Sequence, residues 1–290
     1  MTIRTVLVAA SGGSATEGAI ELACRLTAQL GAHIEAYHVL VDPVAVLMTL
    51  GAGDGFAVPQ SSFEAMSANA EAAAGKVEAA FEVTAKRHGL VLRDAAPSAG
   101  SSVEGASYCW RQETGYAPTL VAQRARFFDL VVLGRSERAI KEPYTDTIEE
   151  TLRYSGRPVL LAPTVAPTAL GRSVAFGWNG SDESVRALAT ALPILAQAEK
   201  VTAITAGEES DITELTAYLA WHGVAAQHRN VPLGSGDRIG GTLLGAAHEL
   251  GADLLVMGGY GQRPWRQMLF GGVTREVIGA DTKLPLLLVH

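Results

Sequence analysis

An internal repeat is the feature that most limits how this chain of 290 residues can fold. The stretch RTVLVAASGGSATEGAIELACRL (4–26) resembles RSVAFGWNGSDESVRALATAL (172–192), and each reads as a buried strand, a Gly/Ser turn and an amphipathic helix. Likewise FFDLVVLGRSE (127–137) resembles LGADLLVMGGYG (250–261), and GRPVLLAP (156–163) resembles KLPLLLVH (283–290). Because each half begins and ends alike, the sequence predicts two similar domains in tandem.

The two halves differ in the middle, where the first is longer. Between equivalent turn glycines the first half spans 122 positions and the second spans 78, a difference of 44 residues. We therefore assign a first domain to 1–164, with an insertion at about 42–118, and a second domain to 170–290. The link between them, APTVAPTALG, is rich in Pro and small residues, as linkers are.

Short apolar strands alternate with helices along both halves, which predicts an α/β fold with parallel sheets and right-handed crossovers. In the second half the pattern places strands near 172–178, 200–206, 224–231, 253–257 and 285–289, and helices near 181–197, 211–222, 237–250 and 272–281. The first half follows the same plan, with a long helix near 61–88. We expect two tandem doubly wound domains, each built on a five-stranded parallel sheet.

Charge and composition exclude several classes of function. The net charge of −7, without a dense Lys/Arg cluster, excludes nucleic acid as a partner. Cys24 and Cys109 are too few for a disulfide framework or a zinc site, which favours a reducing, cytoplasmic location. The N-terminal MTIRTVLVAAS reads as a strand and not as a signal peptide. No apolar run approaches the roughly 20 residues of a membrane span, and the seven histidines lack helical metal-ligand spacing.

The most informative segment is GGYGQRPWRQMLFGGVTREV (258–277), which follows the fourth strand of the second half. Open parallel sheets bind ligands at the carboxyl ends of their strands, where the strand order reverses, and here that point lies between the first and fourth strands. Gly258 and Gly261 allow a close backbone approach, and Gly271 and Gly272 begin a helix whose free N–H groups favour a phosphate.

The spacing of these glycines resembles the nucleotide motif of the universal stress proteins, in their tandem form. That motif is G-x-x-G, nine residues, then Gly followed by Ser or Thr, and here Gly258, Gly261 and Gly271 match it. The resemblance implies strand order 3-2-1-4-5 and a stress-response protein that binds ATP or AMP, with Mg²⁺ only if ATP is bound. It implies that the phosphates and ribose lie on Gly258, Gly261, Gly271, Gly272, Val273 and Thr274. It further implies that Met257 lines the pocket, that Ala206 lies by the base, and that Asn179 replaces an Asp that contacts adenosine.

The sequence departs from the motif in both halves. In the second half Gly272 stands where Ser or Thr is expected, and Asn179 lacks the charge of Asp, so we expect weaker or altered nucleotide binding. The first half keeps only Gly134 of the glycine set, and its shorter loop carries the acidic Glu137, Glu142 and Asp146. We interpret the first half as unable to hold ATP in the manner of the family.

Two other functions are compatible with parts of the sequence. ASGGSAT (10–16) resembles the S-G-G-x-D-S turn of ATP pyrophosphatases but lacks its Asp; the simpler interpretation is a capping box, with Ser14 as N-cap and Glu17 three residues later. No catalytic base is evident, so any ATP hydrolysis is expected to be slow. The alternative class is a non-nucleotide interaction module that binds a protein or an apolar small molecule through the insertion at 42–118.

The apolar final strand of each half also predicts how the halves assemble. Exposed apolar edges invite pairing, and the family pairs its final strands between domains. We expect PVLLAP and PLLLVH to pair within the chain as an intrachain pseudo-dimer, and such edges also allow a homodimer.

Overall fold

Strands and helices alternate along both halves of the chain. The computed structural model describes residues 2–41, 60–99, 105–135, 144–208, 211–259, 272–280 and 282–290. The strands described are β1 (Thr5–Ala9), β2 (His33–Val41), β3 (Val91–Leu92), β4 (Ser107–Gly115), β5 (Leu130–Gly134), β6 (Val159–Ala162), β7 (Ser173–Gly177), β8 (Lys200–Ala206), β9 (Ala226–Val231), β10 (Leu254–Gly258) and β11 (Leu286–Val289). The helices described are α1 (Ser14–Leu30), α2 (Gln60–Arg87), α3 (Ala117–Ala125), α4 (Tyr144–Tyr154), α5 (Asp182–Leu195), α6 (Thr213–Trp221), α7 (Ile239–Glu249) and α8 (Gly272–Gly279).

The described strands form a single sheet in the order β3-β4-β2-β1-β5-β6-β11-β10-β7-β8-β9. Within the first half β4-β2-β1-β5-β6, and within the second half β9-β8-β7-β10-β11, are parallel neighbours. Both series have the order 3-2-1-4-5, so the doubly wound α/β fold predicted for each half is confirmed.

The first half adds an element that the repeat did not predict. The two-residue strand β3 pairs in parallel with the outer edge of β4. The range assigned to the insertion, 42–118, therefore contains β4, the third strand of the basic sheet, as well as β3 and the long helix α2. Residues 42–59 and 100–104 of that range lie outside the described residues.

The two halves join through their final strands. β6 and β11 pair antiparallel, with Leu161 opposite Leu286 and Leu160 opposite Leu287. Every residue of both strands is buried. This pairing turns two parallel sheets into one continuous sheet.

Equivalent hydrogen bonds reveal the repeat in atomic detail. The Asp129 carboxylate accepts from the backbone N–H groups of Arg4 and Thr5, at 2.8 and 3.0 Å, where β1 begins. The Asp253 carboxylate accepts from Gly171 at 2.8 Å and from the two residues that follow, where β7 begins. Each aspartate immediately precedes the fourth strand of its half, so equivalent contacts anchor the first strand in both halves.

Apolar side chains cover both faces of the sheet. On one face Phe81 of α2, Leu22 of α1 and Phe176 of β7 belong to a single buried cluster. On the other face Ile148 of α4 and Val277 of α8 lie in a second cluster. The sheet is thus buried on both sides by helices, as parallel sheets require.

The start of α1 differs from the predicted capping box. The helix begins at Ser14, and the N-cap is Gly13 with φ of 81°, which has no side chain to accept a hydrogen bond. The predicted assignment of Ser14 as N-cap is therefore wrong. A side chain does bond to the turn before the helix, but it is that of Thr16, whose Oγ1 donates to the Gly12 carbonyl at 2.9 Å. A positive φ at position 13 suits glycine and displaces the start of the helix by one residue.

Among the described helices, none combines the length and apolarity that crossing a bilayer demands. Cys24 and Cys109 are both buried and both free.

Candidate functional site

Three of the predicted site residues lie at one edge of the sheet. Across the register, Met257 of β10 is opposite Gly177 of β7, and Gly177 is opposite Ile204 of β8. Gly258 is the residue after Met257. Asn179 lies two residues after Gly177, and Ala206 lies two residues after Ile204. The carboxyl ends of β7, β8 and β10 therefore bring Asn179, Ala206 and Gly258 to the same edge.

The helix α8 begins at this edge too. It connects β10 to its parallel neighbour β11, so it runs opposite to the strands and its first turn returns to their carboxyl ends. Gly272 is its first residue. Gly261 and Gly271, the other glycines of the motif, lie outside the described residues, as does the intervening loop 262–270.

The side chain of Asn179 takes part in a turn that caps α5. Its Oδ1 accepts from the Ser181 N–H at 3.1 Å, and Asn179 is exposed. Ser181 is the N-cap residue, and its Oγ accepts from the Ser184 N–H at 3.3 Å. The Asn179 oxygen is thus engaged in a local turn of the protein.

The glycine at position 258 has a structural reason that motif matching missed. A Cβ there would lie 2.7 Å from the backbone carbon of Glu183 and 2.8 Å from the Ser184 nitrogen, in the first turn of α5. Gly134 is the equivalent residue of the first half. A Cβ placed on Gly134 would lie 2.6 Å from the backbone carbonyl carbon of Ala15 in α1. Close packing of the first helix on the fourth strand therefore explains why this glycine occurs in both halves.

Two further predicted residues belong mainly to the core. Met257 is buried in the cluster on the α7 and α8 face of the sheet. Val273 is partly buried against the same cluster, and its carbonyl lies 3.0 Å from a Cβ placed on Gly240 of α7. The side chain of Val273 therefore contributes to the packing between α8 and the core. The side chain of Thr274 is not among those described.

The first turn of α8 is free of acidic residues, which favours an anion there. Glu276 lies further along the helix, where its Oε1 accepts from the Gly241 N–H of α7 at 3.0 Å. Its other neighbour is Arg238, 3.4 Å away. The corresponding helix of the first half, α4, carries Asp146 in its first turn. The start of α8 thus lacks the negative charge that the start of α4 carries at the equivalent position.

A polar cluster beside Ala206 was not predicted. Thr205, which is buried, donates from Oγ1 to Asn230 Oδ1 at 2.7 Å, and the Asn230 amide donates to the Gly207 carbonyl at 3.2 Å. His228 Nε2 lies 2.9 Å from the same Thr205 oxygen. Since the single hydroxyl hydrogen goes to Asn230, His228 must donate from Nε2. Alternation of side chains along β8 and β9 was the only sequence signal for this cluster.

The same location in the first half is filled by aromatic rings. His38 replaces Thr205 and Trp110 replaces His228, and the two rings stack with centroids 5.7 Å apart. Phe81 of α2 packs on Trp110 at 6.3 Å. The buried His38 donates from Nδ1 to the Ala10 carbonyl at the end of β1. This part of the first-half crevice is therefore occupied by the protein itself.

A second polar group of the first half contains a cysteine beside a histidine. Cys109 Sγ lies 3.4 Å from His33 Nε2, and Glu35 is held by Arg124, whose Nε donates at 2.7 Å. Burial first and the Glu35 charge second raise the pKa of Cys109 to about 12, while burial lowers the pKa of His33. A neutral thiol is a poor nucleophile, so this arrangement is structural. Within the described parts of the chain, no three His, Cys, Asp or Glu residues are grouped to hold a metal.

Comparison with known proteins identifies the fold. No protein-family model and no curated protein matches the chain. Among solved structures, a universal stress protein from Archaeoglobus fulgidus DSM 4304 matches with a TM-score of 0.71 and 15% identity, over 99% of this chain and 96% of that chain. A functionally unknown protein from Pseudomonas aeruginosa PAO1 matches with a TM-score of 0.56 and 16% identity, over 99% and 92%. Together with the repeated 3-2-1-4-5 strand order, these likenesses show that the chain has the universal stress protein fold, in two tandem copies.

Proposed function

We propose that this chain binds an adenine nucleotide, ATP or AMP, at one site in its second half and serves as a nucleotide-responsive protein of the stress response. The phosphates would lie on the glycine segment and the amides of the first turn of α8. The base would lie near Ala206, between the ends of β7 and β8. If ATP is the ligand, it would bring Mg²⁺, which is held largely by phosphate oxygens and water.

The observation that carries the proposal is the difference between the two halves at equivalent positions. In the second half the carboxyl edge has Gly259 after β10, a helix start without acidic residues, and the small polar Thr205. In the first half the equivalents are Arg135, a helix start with Asp146, and the ring of His38 against Trp110. A helix start without acidic residues favours a phosphate, whereas Asp146 opposes one, and the stacked rings fill the space that a base would need. Since a fold alone does not assign a function, the proposal rests on this site chemistry.

The two halves are further proposed to act as an intrachain pseudo-dimer. The antiparallel pairing of β6 with β11 is the contact that supports this arrangement. In it the first half supplies the partner surface that a separate subunit would otherwise provide.

Isothermal titration of the full-length chain with ATP and AMP, with GTP as the specificity control, tests the proposed site. Gly261→Val and Gly271→Val are expected to abolish binding, because a side chain would block the approach of the phosphates. Gly272→Ser is expected to strengthen binding, because it restores the hydroxyl that the family motif places there. Gly245→Ala is the matched control in the same half, since a Cβ at that position of α7 has no atom within 4 Å.

Two results would overturn the proposal. One is a parent chain that binds neither ATP nor AMP at millimolar concentration. The other is a pair of valine variants that bind with the affinity of the parent while remaining folded by circular dichroism.

A further inference from the structure

A buried arginine of the first half reaches into the second half. Arg135 is the first residue after β5 and is only 4% exposed. Its backbone is fixed in its own half, where its N–H donates to the Ala162 carbonyl at 2.8 Å. Its guanidinium crosses to the second half, where Nη1 donates to the Val277 carbonyl at 3.3 Å and Nη2 to the Leu284 carbonyl at 3.4 Å. Nη2 also donates to the Thr282 carbonyl.

These carbonyls belong to the carboxyl end of α8 and to the segment that follows it. The last four carbonyls of a helix lack partners within the helix, and Val277 is among them in α8. A positive charge at this end is favourable because the helix dipole is negative there. Hydrogen bonds from a charged guanidinium are also stronger than neutral ones. Arg135 therefore fixes the carboxyl end of α8 to the first half.

The opposite end of α8 is the proposed phosphate site. The helix has eight residues, and at about 1.5 Å per residue it is roughly 12 Å long. Glu276 ties the middle of α8 to α7 through the Gly241 N–H. In so short a helix, held at the middle and at one end, the contacts of Arg135 limit tilting and so set where the first-turn amides point. A binding site requires its donors to be held within about 0.5 Å of the productive geometry.

The contact is made in one direction only. The residue equivalent to Arg135 in the second half is Gly259, whose N–H donates to the Val289 carbonyl at 2.7 Å as that of Arg135 does to Ala162. Glycine has no side chain to reach back toward α4. The second position of the glycine segment, Gly259, thus corresponds in the first half to a residue whose side chain supports the helix of that segment.

We infer that Arg135 is a positioning residue for the nucleotide site of the second half. By this inference, which rests on the proposed function, the first half keeps only Gly134 of the glycine set and holds α8 of the second half in the orientation that binds phosphate. The ligand class is the one proposed above, and Arg135 acts on it through α8 without contacting it.

The test compares three variants of the full-length chain. Arg135→Met removes the charge and the donors while keeping an apolar chain of similar reach, and Arg135→Lys keeps the charge with a single donor group. Arg157→Met is the matched control, because Arg157 donates to a backbone carbonyl, that of Arg126, from Nε at 3.1 Å and Nη2 at 2.7 Å, entirely within the first half. ATP affinity is measured by titration, and hydrogen exchange of residues 272–280 is measured without ligand.

Arg135→Met is expected to weaken ATP binding about tenfold and to speed amide exchange in α8 more than in the rest of the second half. Arg135→Lys is expected to show smaller changes in both ATP affinity and amide exchange. Arg157→Met is expected to change neither quantity. Unchanged affinity in Arg135→Met, or a loss equal to that of Arg157→Met, would overturn the inference while leaving the proposed function intact. A parent chain that binds no adenine nucleotide would overturn both. If Arg135→Met does not fold, the Lys variant decides: parental affinity and parental exchange in α8 would refute the role.

Discussion

At the scale of single residues, Gly18 shows how tightly the link between the halves is held. It lies in α1, where a Cβ would overlap the Pro163 carbonyl oxygen and lie 2.6 Å from that of Thr164. Arg25, two turns further along α1, donates to the Pro167 carbonyl. The Pro-rich linker is therefore packed along α1 and is not a loose tether.

We predict opposite effects for two glycine-to-alanine changes. Gly18→Ala should destabilise the fold by about 1–3 kcal/mol, since backbone atoms must move to admit a methyl group. Gly75→Ala should stabilise it by roughly 0.5–1 kcal/mol, because Gly75 lies inside α2 with no atom near its missing Cβ, and alanine is the better helix former. Urea unfolding of both variants measures the difference. Equal midpoints would contradict the packing described for Gly18.

The glycines also show what the sequence could reveal about the site. The predicted strand order is confirmed, and it brings Asn179, Ala206 and Gly258 to the same edge of the sheet. It could not separate glycines needed by a ligand from glycines needed by a helix, as Gly258 demonstrates. Thr205, with its partners on β9, was missed because a hydrogen-bonded cluster between neighbouring strands has no spacing signature along the chain. Whether these residues contact a nucleotide stays a prediction.

At the scale of elements, the starts of α1 and α5 illustrate two ways to begin equivalent helices. α5 begins after Ser181, whose side chain accepts from the Ser184 N–H, and has Asp182 and Glu183 in its first turn. α1 begins after Gly13, which offers no such acceptor. The repeat predicted both helices, but the choice of cap depends on the backbone angle at one residue, which periodicity does not reveal.

We predict that the cap of α5 is worth about 1 kcal/mol of stability. Ser181→Ala should lower the free energy of unfolding by that amount, because the Ser184 N–H would lose its acceptor at the helix start. Ser181→Asp should retain the parental value, because its carboxylate accepts the same bond and interacts favourably with the helix dipole. Urea unfolding is the measurement. An alanine variant as stable as the parent would show that Asn179 or solvent replaces the cap.

The inserted region shows the limit of an argument from repeats. A comparison of lengths places the additional residues of the first half at 42–118, yet the third strand, β4, lies within that range. Its sequence SYCWRQETG has four exposed residues in succession, so it lacks the apolar run by which the other strands were recognised. Pairing with β2 over nine positions, and not its own pattern, makes this segment a strand.

At the scale of the whole molecule, the antiparallel junction is the contact that unites the halves. It joins two four-residue strands, β6 and β11, each of which is the last strand of its half. In this junction each half covers the edge strand of the other, which would otherwise be open. An uncovered apolar edge strand is a template for pairing with another chain.

This geometry predicts that the isolated second half, residues 170–290, will self-associate through β11. Without β6, the sequence LLLV presents unpaired backbone groups, and an antiparallel β11–β11 contact would reproduce the junction with two-fold symmetry. Sedimentation velocity should give a dimer, and an equimolar amount of residues 1–164 should convert it to a heterodimer because β6 competes for the same edge. A folded fragment that sediments as a monomer near 1 mM would show that β11 is protected by its own half, and that the junction follows from tethering rather than from the affinity of the two edges.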